Sequence, residues 1–530
     1  MRSTSPTRRE SYWSKFELAE EDLEFIDNLL LERGVPLTPM EMAEALVNHV
    51  LEHLARAPEE ATLPAVKGYL PADRYAVGQQ LQFRRLGNRI GTVIGVRDSS
   101  NPDLPSFEVI QIDFGDEKKE FASRLQEHGL NSEPAELPAE DGDSTPEMIL
   151  QRHAEQIVGS VESSLKERPE VVRIAGRWFH GGLLAEINEG HLNLAEAVLD
   201  VAAGGPLPTQ ALAEHIETPP GLDPLLTEFS VDYALQEDER FDEVGPAGKV
   251  LWFLKRLEPA EVLQTPERLV YEPLSYDRSV LTEDLLALER ELDDELTEAD
   301  PKRGAGEQQV TLALPFPHWS VGSLPLSPRL QPMFPSAYEA PRIRFILVDG
   351  HTGGKFPGWV VRTHRYVFGL ADWYRKHDLP AGGLIRVRPG QEEGEVVVEA
   401  VEPRRRNDWI RTVSIGNSGR IGLTMLKHPV GTAYDDRRIV GVIDRQAVEV
   451  AWQSSEQRKL PLDRIVTQMF RELSKLNPQA TVHAEALFSA VNVVQRIPPG
   501  PILAELASRP YFEPVGDHYW RLKEDEWKEQ

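Results

Sequence analysis

The phrase Phe-x-x-Val-Gly, followed after a short gap by Trp-x-Leu, occurs twice in this chain and restricts its fold more than any other feature. Residues 240–254 read Arg-Phe-Asp-Glu-Val-Gly-Pro-Ala-Gly-Lys-Val-Leu-Trp-Phe-Leu, and residues 510–522 read Pro-Tyr-Phe-Glu-Pro-Val-Gly-Asp-His-Tyr-Trp-Arg-Leu. A strand, a glycine turn and a return strand with a large aromatic predict a two-stranded hairpin that closes a small module. Phe241, Val244, Trp252, Phe512, Val515 and Trp520 are therefore expected to be core residues, because such side chains bury large apolar area.

Short helical patterns precede each copy. Before the second they cover 462–476, with Ile465, Met469, Phe470 and Leu473 on one face, then 483–494 and 499–507. Before the first they cover 192–201, 208–216 and 222–235. Three helices followed by a two-stranded wing is the winged-helix arrangement. Both copies resemble the HARE-HTH winged-helix family, which includes the delta subunit of bacterial RNA polymerase. The resemblance covers about 75 residues at the C-terminus and a looser 80 or so around 180–258. It implies association with DNA, or contact with RNA polymerase or other transcription machinery.

The remaining chain divides by changes of period. Residues 12–60 form a helix-turn-helix-like module: 17–33 place Leu18, Phe25, Ile26, Leu29 and Leu30 on one face, Gly34 stops that helix, and Thr38-Pro39 starts the next. Residues 69–127 alternate in short runs (80–83, 91–96, 107–114) between turn residues, which predicts a small β-barrel. The run Val77-Gly78-Gln79-Gln80-Leu81 followed by Gly91-x-Val93 resembles SH3-like barrels. Residues 128–147 read as an acidic linker. The first winged-helix module is expected at 148–272, an acidic helix and hinge at 273–309, a basic β-rich domain at 310–450 and the second winged-helix module at 451–530. In 310–450 a strand, a short aromatic helix, the turn Leu379-Pro380-Ala381-Gly382-Gly383 and a strand pair resemble the pseudobarrel of B3-type DNA-binding domains. The expected fold class is thus α+β and multidomain, with winged-helix modules, a small SH3-like β-barrel and a β-rich pseudobarrel domain.

The net charge of −28 is unevenly placed. Residues 1–135 carry −8, residues 136–309 carry −24, residues 310–415 carry +4 and residues 416–530 are neutral. A phosphate backbone would be repelled by the middle of the chain and accepted further on. The candidate nucleic-acid contacts are Arg362, Arg365, Arg375, Lys376, Arg386, Arg388, Arg404, Arg405 and Arg406, with Trp359 and Trp409 as stacking aromatics. Arg386 and Arg388, two apart on a strand, share one face and could reach phosphates or guanine edges. The competing reading is that these arginines pair with the acidic middle of the same chain.

Enzymatic signatures are missing. There is no cysteine, hence no thiolate nucleophile and no cysteine-ligated metal. The 14 histidines lack ligand spacing, so no metal or cofactor is expected. His180-Gly181-Gly182 looks like an oxyanion-hole loop, yet no G-x-S-x-G elbow accompanies it. No apolar run reaches the roughly 18 residues that span a bilayer, and a cytoplasmic location with no membrane partner is expected. The sequence therefore points to a non-enzymatic regulatory protein associated with DNA or RNA polymerase. An acidic protein-interaction scaffold, or an enzyme with an unrecognised motif, fits the same residues.

Overall fold

The computed structural model describes residues 13–14, 16–56, 67–83, 89–99, 107–115, 117–125, 145–216, 221–297, 306–401, 406–416, 419–458 and 460–524. The chain is mixed α/β with several separate sheets. It divides into two compact units, Met1–Val171 and Val172–Gln530. Among the described residues no helix is long and apolar enough to cross a membrane.

In the first unit, the helices Glu20–Arg33 and Pro39–Arg56 form where the apolar spacing places them. Gly34 ends the former in the left-handed region, at φ 63°. Thr38 and Glu41 cap the latter reciprocally: the Glu41 amide donates to Thr38 Oγ1 and the Thr38 amide to Glu41 Oε2. Five strands follow in sequence order, Lys67–Gly68, Gln80–Phe83, Arg89–Asp98, Glu108–Asp113 and Lys118–Ser123. Their inner face packs Tyr75, Leu81, Phe83, Val93, Ile110 and Ile112. The expected linker falls largely outside the described residues, but its end is visible. Thr145 accepts from the Met148 amide, and Pro146 opens the helix Pro146–Lys166.

That helix corrects an expected boundary. It belongs to the first unit and not to a module beginning at 148: the Leu18 amide donates to Ser160 Oγ, Gln156 Nε2 donates to the Phe16 carbonyl, and Arg168 pairs with Asp27. Its apolar stripe Ile149, Ile157, Val161 and Leu165 is buried there.

The second unit holds both copies of the repeated phrase. The first follows helices Glu189–Val201, Thr209–Ala213 and Pro224–Glu237, and pairs Phe241–Glu243 with Trp252–Leu254. Trp252 is fully buried, and its Nε1 donates to Asp232 Oδ1 at 2.9 Å, an atom that also accepts from Thr209 Oγ1 at 2.5 Å. The second follows helices Leu462–Ser474, Ala484–Val494 and Pro499–Ser508 and pairs Phe512–Gly516 with Tyr519–Leu522. Thr481–His483 adds a third strand beside Tyr519–Leu522.

The two copies differ where their sequences look most alike. Val244 is buried in a cluster with Phe253, Trp359, Val361 and Tyr366 of the central sheet, whereas Val515 is 47% exposed. The assignment of Val515 to the core is thereby overturned. The register shifts between Pro514 and Gly516, and that side chain faces solvent. The two glycines are also required for different reasons. A Cβ at Gly245 would lie 1.9 Å from the Lys249 carbonyl, whereas Gly516 meets no atom but sits at φ 111°. Gly245→Ala is therefore expected to destabilise by roughly 3 kcal/mol or more, and Gly516→Ala by about 1–2 kcal/mol. Chemical denaturation of the two variants checks the order.

Between the copies lies a seven-stranded sheet. Its order is Val310–Ala313, Leu384–Pro389, Glu395–Ala400, Arg342–Asp349, Lys355–Val361, Tyr366–Phe368, Ser323–Pro325. Tyr366–Phe368 is a strand, and the helix expected from Tyr366 onward begins only at Ala371. A long hairpin, Arg406–Ile415 with Ile421–Val430, forms a separate three-stranded sheet with Gly441–Val442, and its Val413, Ile421 and Leu423 join the main core. The expected divisions at 272/273, 309/310 and 450/451 do not separate cores. Val244, Phe253, Val262 and Leu269 share a cluster with Trp359, Val361 and Tyr366 across 272/273, and one hydrophobic cluster runs from Leu281 through the sheet to Trp520 across the other two.

Candidate nucleic-acid interface

On and beside the sheet, three of the six candidate cations, Arg375, Lys376 and Arg386, are engaged by carboxylates of the same chain. Arg386 and Arg388 do share a face of Leu384–Pro389, and Arg386 Nη1 lies 2.6 Å from its cross-strand neighbour Glu399. Arg388 is half-buried with no ion pair among the described residues. Arg375 pairs with Asp372 one turn earlier in the helix Ala371–Lys376. Lys376 Nζ donates to Asp349 Oδ2 at 2.8 Å.

Asp349 was not singled out by its sequence, yet it organises the loop Asp349–Gly354. Its side chain is almost fully buried and also accepts from Thr352 Oγ1 at 2.7 Å and His377 Nε2 at 2.9 Å. Burial pushes the carboxyl up, but these donors outweigh it and hold the group well below the usual carboxylate range. The loop borders a cleft of about 390 Å³ lined by Trp359, Phe356, Phe368, Trp373 and Lys355. Lys355 is itself held by Glu392 and Glu395.

Trp359 does not serve as a stacking platform on this surface. Only 3% of it is exposed, and it meets Phe253 edge to face at a centroid distance of 5.4 Å. The run Gly358–Val361 is buried on both faces, because the first hairpin packs over the sheet there. Arg342, from the next strand, reinforces the contact by bonding Asp242 at 2.5 Å and Glu258 at 3.1 Å.

Arg362 and Arg365 occupy the tight turn after Lys355–Val361. Their guanidinium groups are anchored on backbone carbonyls, Arg362 Nη1 on Ala340 at 2.8 Å and Arg365 Nη1 on Glu295 at 3.1 Å.

The long hairpin is different. Residues 404–430 contain six Lys/Arg against one carboxylate. Arg404 and Arg405, and the side chain of Arg406, lie outside the described residues. Trp409 is 63% exposed and sits directly across from Lys427, with Arg411 two residues along the same face opposite Met425. Asp408, the one carboxylate, alternates to the other face, where the Tyr434 hydroxyl donates to it. Arg411, Arg420 and Lys427 have no ion pair among the described residues. Near Arg411 of the hairpin, Tyr519 of the C-terminal strand pair meets His483 edge-on at 4.9 Å. Burial, then the nearby positive charge of Arg437, pushes His483 down to about 4.

One further cluster has the composition of a hydrolase site but not its accessibility. His318 Nδ1 lies 2.9 Å from Ser323 Oγ, and Nε2 lies 3.0 Å from Glu295 Oε1. All three residues are buried, and Arg496 closes the cluster by bonding Glu295 and Asp294, each at 2.6 Å. Ser323 is fully buried, and the cluster joins Glu295, His318 and Arg496 as an internal clasp. His180 likewise uses its own Nδ1 to accept from the Gly182 amide at 3.3 Å, which occupies a donor an oxyanion hole would need. No family profile, curated protein or solved structure matches the chain.

Proposed function

We propose that this protein is a non-enzymatic, DNA- or transcription-machinery-associated regulator that contacts nucleic acid through the long basic hairpin 406–430 and the arginines Arg404 and Arg405 that precede it in sequence. The observation that carries the reading is the exposed Trp409 paired across the strands with Lys427, on a strand face whose own residues include no carboxylate, with Asp435 and Asp436 near Arg411 further along it. An exposed indole flanked by unpaired cations suits an unstacked base next to its phosphates. The candidate cations on the sheet suit this role less well, because most of them already meet carboxylates or carbonyls of the chain.

Within this reading the two repeated modules are winged helices, since in each a helical trio precedes a hairpin. The second exposes Val515 and Tyr519 and lies beside the hairpin, so it extends the same surface. The first has its wing against the central sheet and lies in the acidic part of the chain, which fits internal packing or contact with RNA polymerase better than contact with DNA. The five-stranded sheet of the first unit is read as an SH3-like adaptor barrel, and the seven-stranded sheet as the B3-like element that precedes the hairpin.

Fluorescence anisotropy with single-stranded and duplex oligonucleotides, over a range of salt, tests the proposal. Binding is expected to weaken linearly in log–log form with salt, and replacing Arg404, Arg405 and Arg406 by Ala should lower the slope by about 2–3. Trp409→Ala should weaken single-strand binding by about 1–3 kcal/mol. Salt-insensitive binding, or binding indifferent to these changes, would refute it.

A further inference from the structure

We infer that the turn Arg362–Arg365 forms a discrete site for a phosphoryl group, separate from the long hairpin. The turn is fixed on both sides: the Arg362 amide bonds the Pro341 carbonyl, the Leu326 amide bonds the Arg365 carbonyl, and the Arg365 amide closes on Arg362. Arg365 adopts φ 51°, a conformation that a residue with a Cβ seldom takes without a surrounding structure that imposes it. Both arginines then line one cleft of about 360 Å³, together with Thr363 and Gln331.

The charge balance of this cleft points to an anion. Among the described residues neither guanidinium has a carboxylate within ion-pair distance. Each is oriented by one carbonyl, Ala340 or Glu295. A guanidinium carries five N–H donors in a fixed planar fork, so most remain available on each side chain. Glu339 is the one carboxylate lining the cleft, and Arg173 neutralises it at 2.5 Å while the Gly176 amide donates to the same oxygen. Two oriented forks, with Thr363 lining the same cleft, match the tetrahedral oxygens of a phosphate better than a single planar carboxylate. The ligand class is a phosphate dianion, either free or as the terminal phosphate of a nucleic acid strand.

The test uses the full chain and three probes: inorganic phosphate, and one oligonucleotide with and without a 5′-phosphate. Isothermal titration is expected to detect phosphate binding that weakens about tenfold or more in Arg362→Gln and in Arg365→Gln. Arg365→Lys keeps the charge but loses the fork, and should bind with intermediate strength. Unfolding midpoints of the variants separate lost binding from lost structure. A preference for the 5′-phosphorylated strand that vanishes in Arg365→Gln would assign the site to strand ends, and equal binding of both strands would assign it to free phosphate. Absence of phosphate binding, or binding unchanged in a folded Arg362→Gln/Arg365→Gln double variant, overturns the inference. Neither result touches the hairpin, whose contribution is read separately from Trp409→Ala.

Discussion

Arg496→Ala is expected to destabilise the second unit by about 3–5 kcal/mol, among the largest losses from any single change in this chain. Arg496 is buried, and its guanidinium meets Asp294 and Glu295 at 2.6 Å, Asn492 Oδ1 at 3.0 Å and the Ile497 carbonyl at 3.2 Å. Removing it leaves two buried carboxyls without their counter-charge. Burial pushes both carboxyls up; for Asp294 burial wins, whereas the charges of Arg496 and His318 hold Glu295 well below the usual range. The loss arises from stranded acids and not from the net worth of the pair. Removing both acids together with Arg496, as Asp294→Asn, Glu295→Gln and Arg496→Met, should therefore recover part of it. Urea unfolding followed by far-ultraviolet circular dichroism measures both. A loss below about 1 kcal/mol for Arg496→Ala would contradict the account.

The second large effect is a pH dependence centred on Asp232. Burial pushes this carboxyl up to about 7, against the opposing pull of the bonds from Thr209 and Trp252. The folded state therefore holds a proton that the unfolded chain releases at about 4. Such a group contributes its full stability below the unfolded value, and that contribution is lost as pH rises through the window to about 7. A difference of about three pH units corresponds to roughly 4 kcal/mol, an upper figure for a buried group. Asp232→Asn keeps an oxygen for Thr209 and Trp252 and removes the titration. It should stabilise the protein by a few kcal/mol at pH 8 and make little difference near pH 4. Thermal unfolding of both proteins between these limits gives the comparison, and parallel curves at every pH would refute it. Glu243, pushed up to about 8 mainly by burial, adds a slope of the same sign that both proteins share.

Much of the local structure was legible in the sequence because it rests on short-range rules. Thr38, Thr145 and Pro146 start their helices as their chemistry predicts, and both hairpins with their buried Phe and Trp form where the repeated phrase lies. Lys118–Ser123 was not anticipated as a strand, since its charged residues supply little apolar alternation. Val244 and Val515 occupy equivalent places in one phrase, and only the tertiary partner decides which is buried. Trp359 failed as a candidate for a related reason: an aromatic among arginines reads alike whether it faces solvent or a second layer. Trp409 and its basic neighbours were visible, but the alternation that separates them from Asp408 required the hairpin register. Asp349, Thr352, Lys376 and His377 meet only after the chain returns from some 25 residues away, so spacing gave no signal.

The single core running from Leu281 to Trp520 also sets an order of events during folding. Contacts such as Arg268 with Glu449, 181 residues apart, close long loops before they stabilise anything. The acidic segment around Asp294 and Glu295 leaves the ribosome about two hundred residues ahead of the arginine that neutralises it. During that interval the central sheet lacks part of its core and presents unpaired apolar surface. Completion of the second unit is thus a late, cooperative step that waits for the second repeated module, and chains truncated within that module should be aggregation-prone intermediates rather than smaller folded proteins.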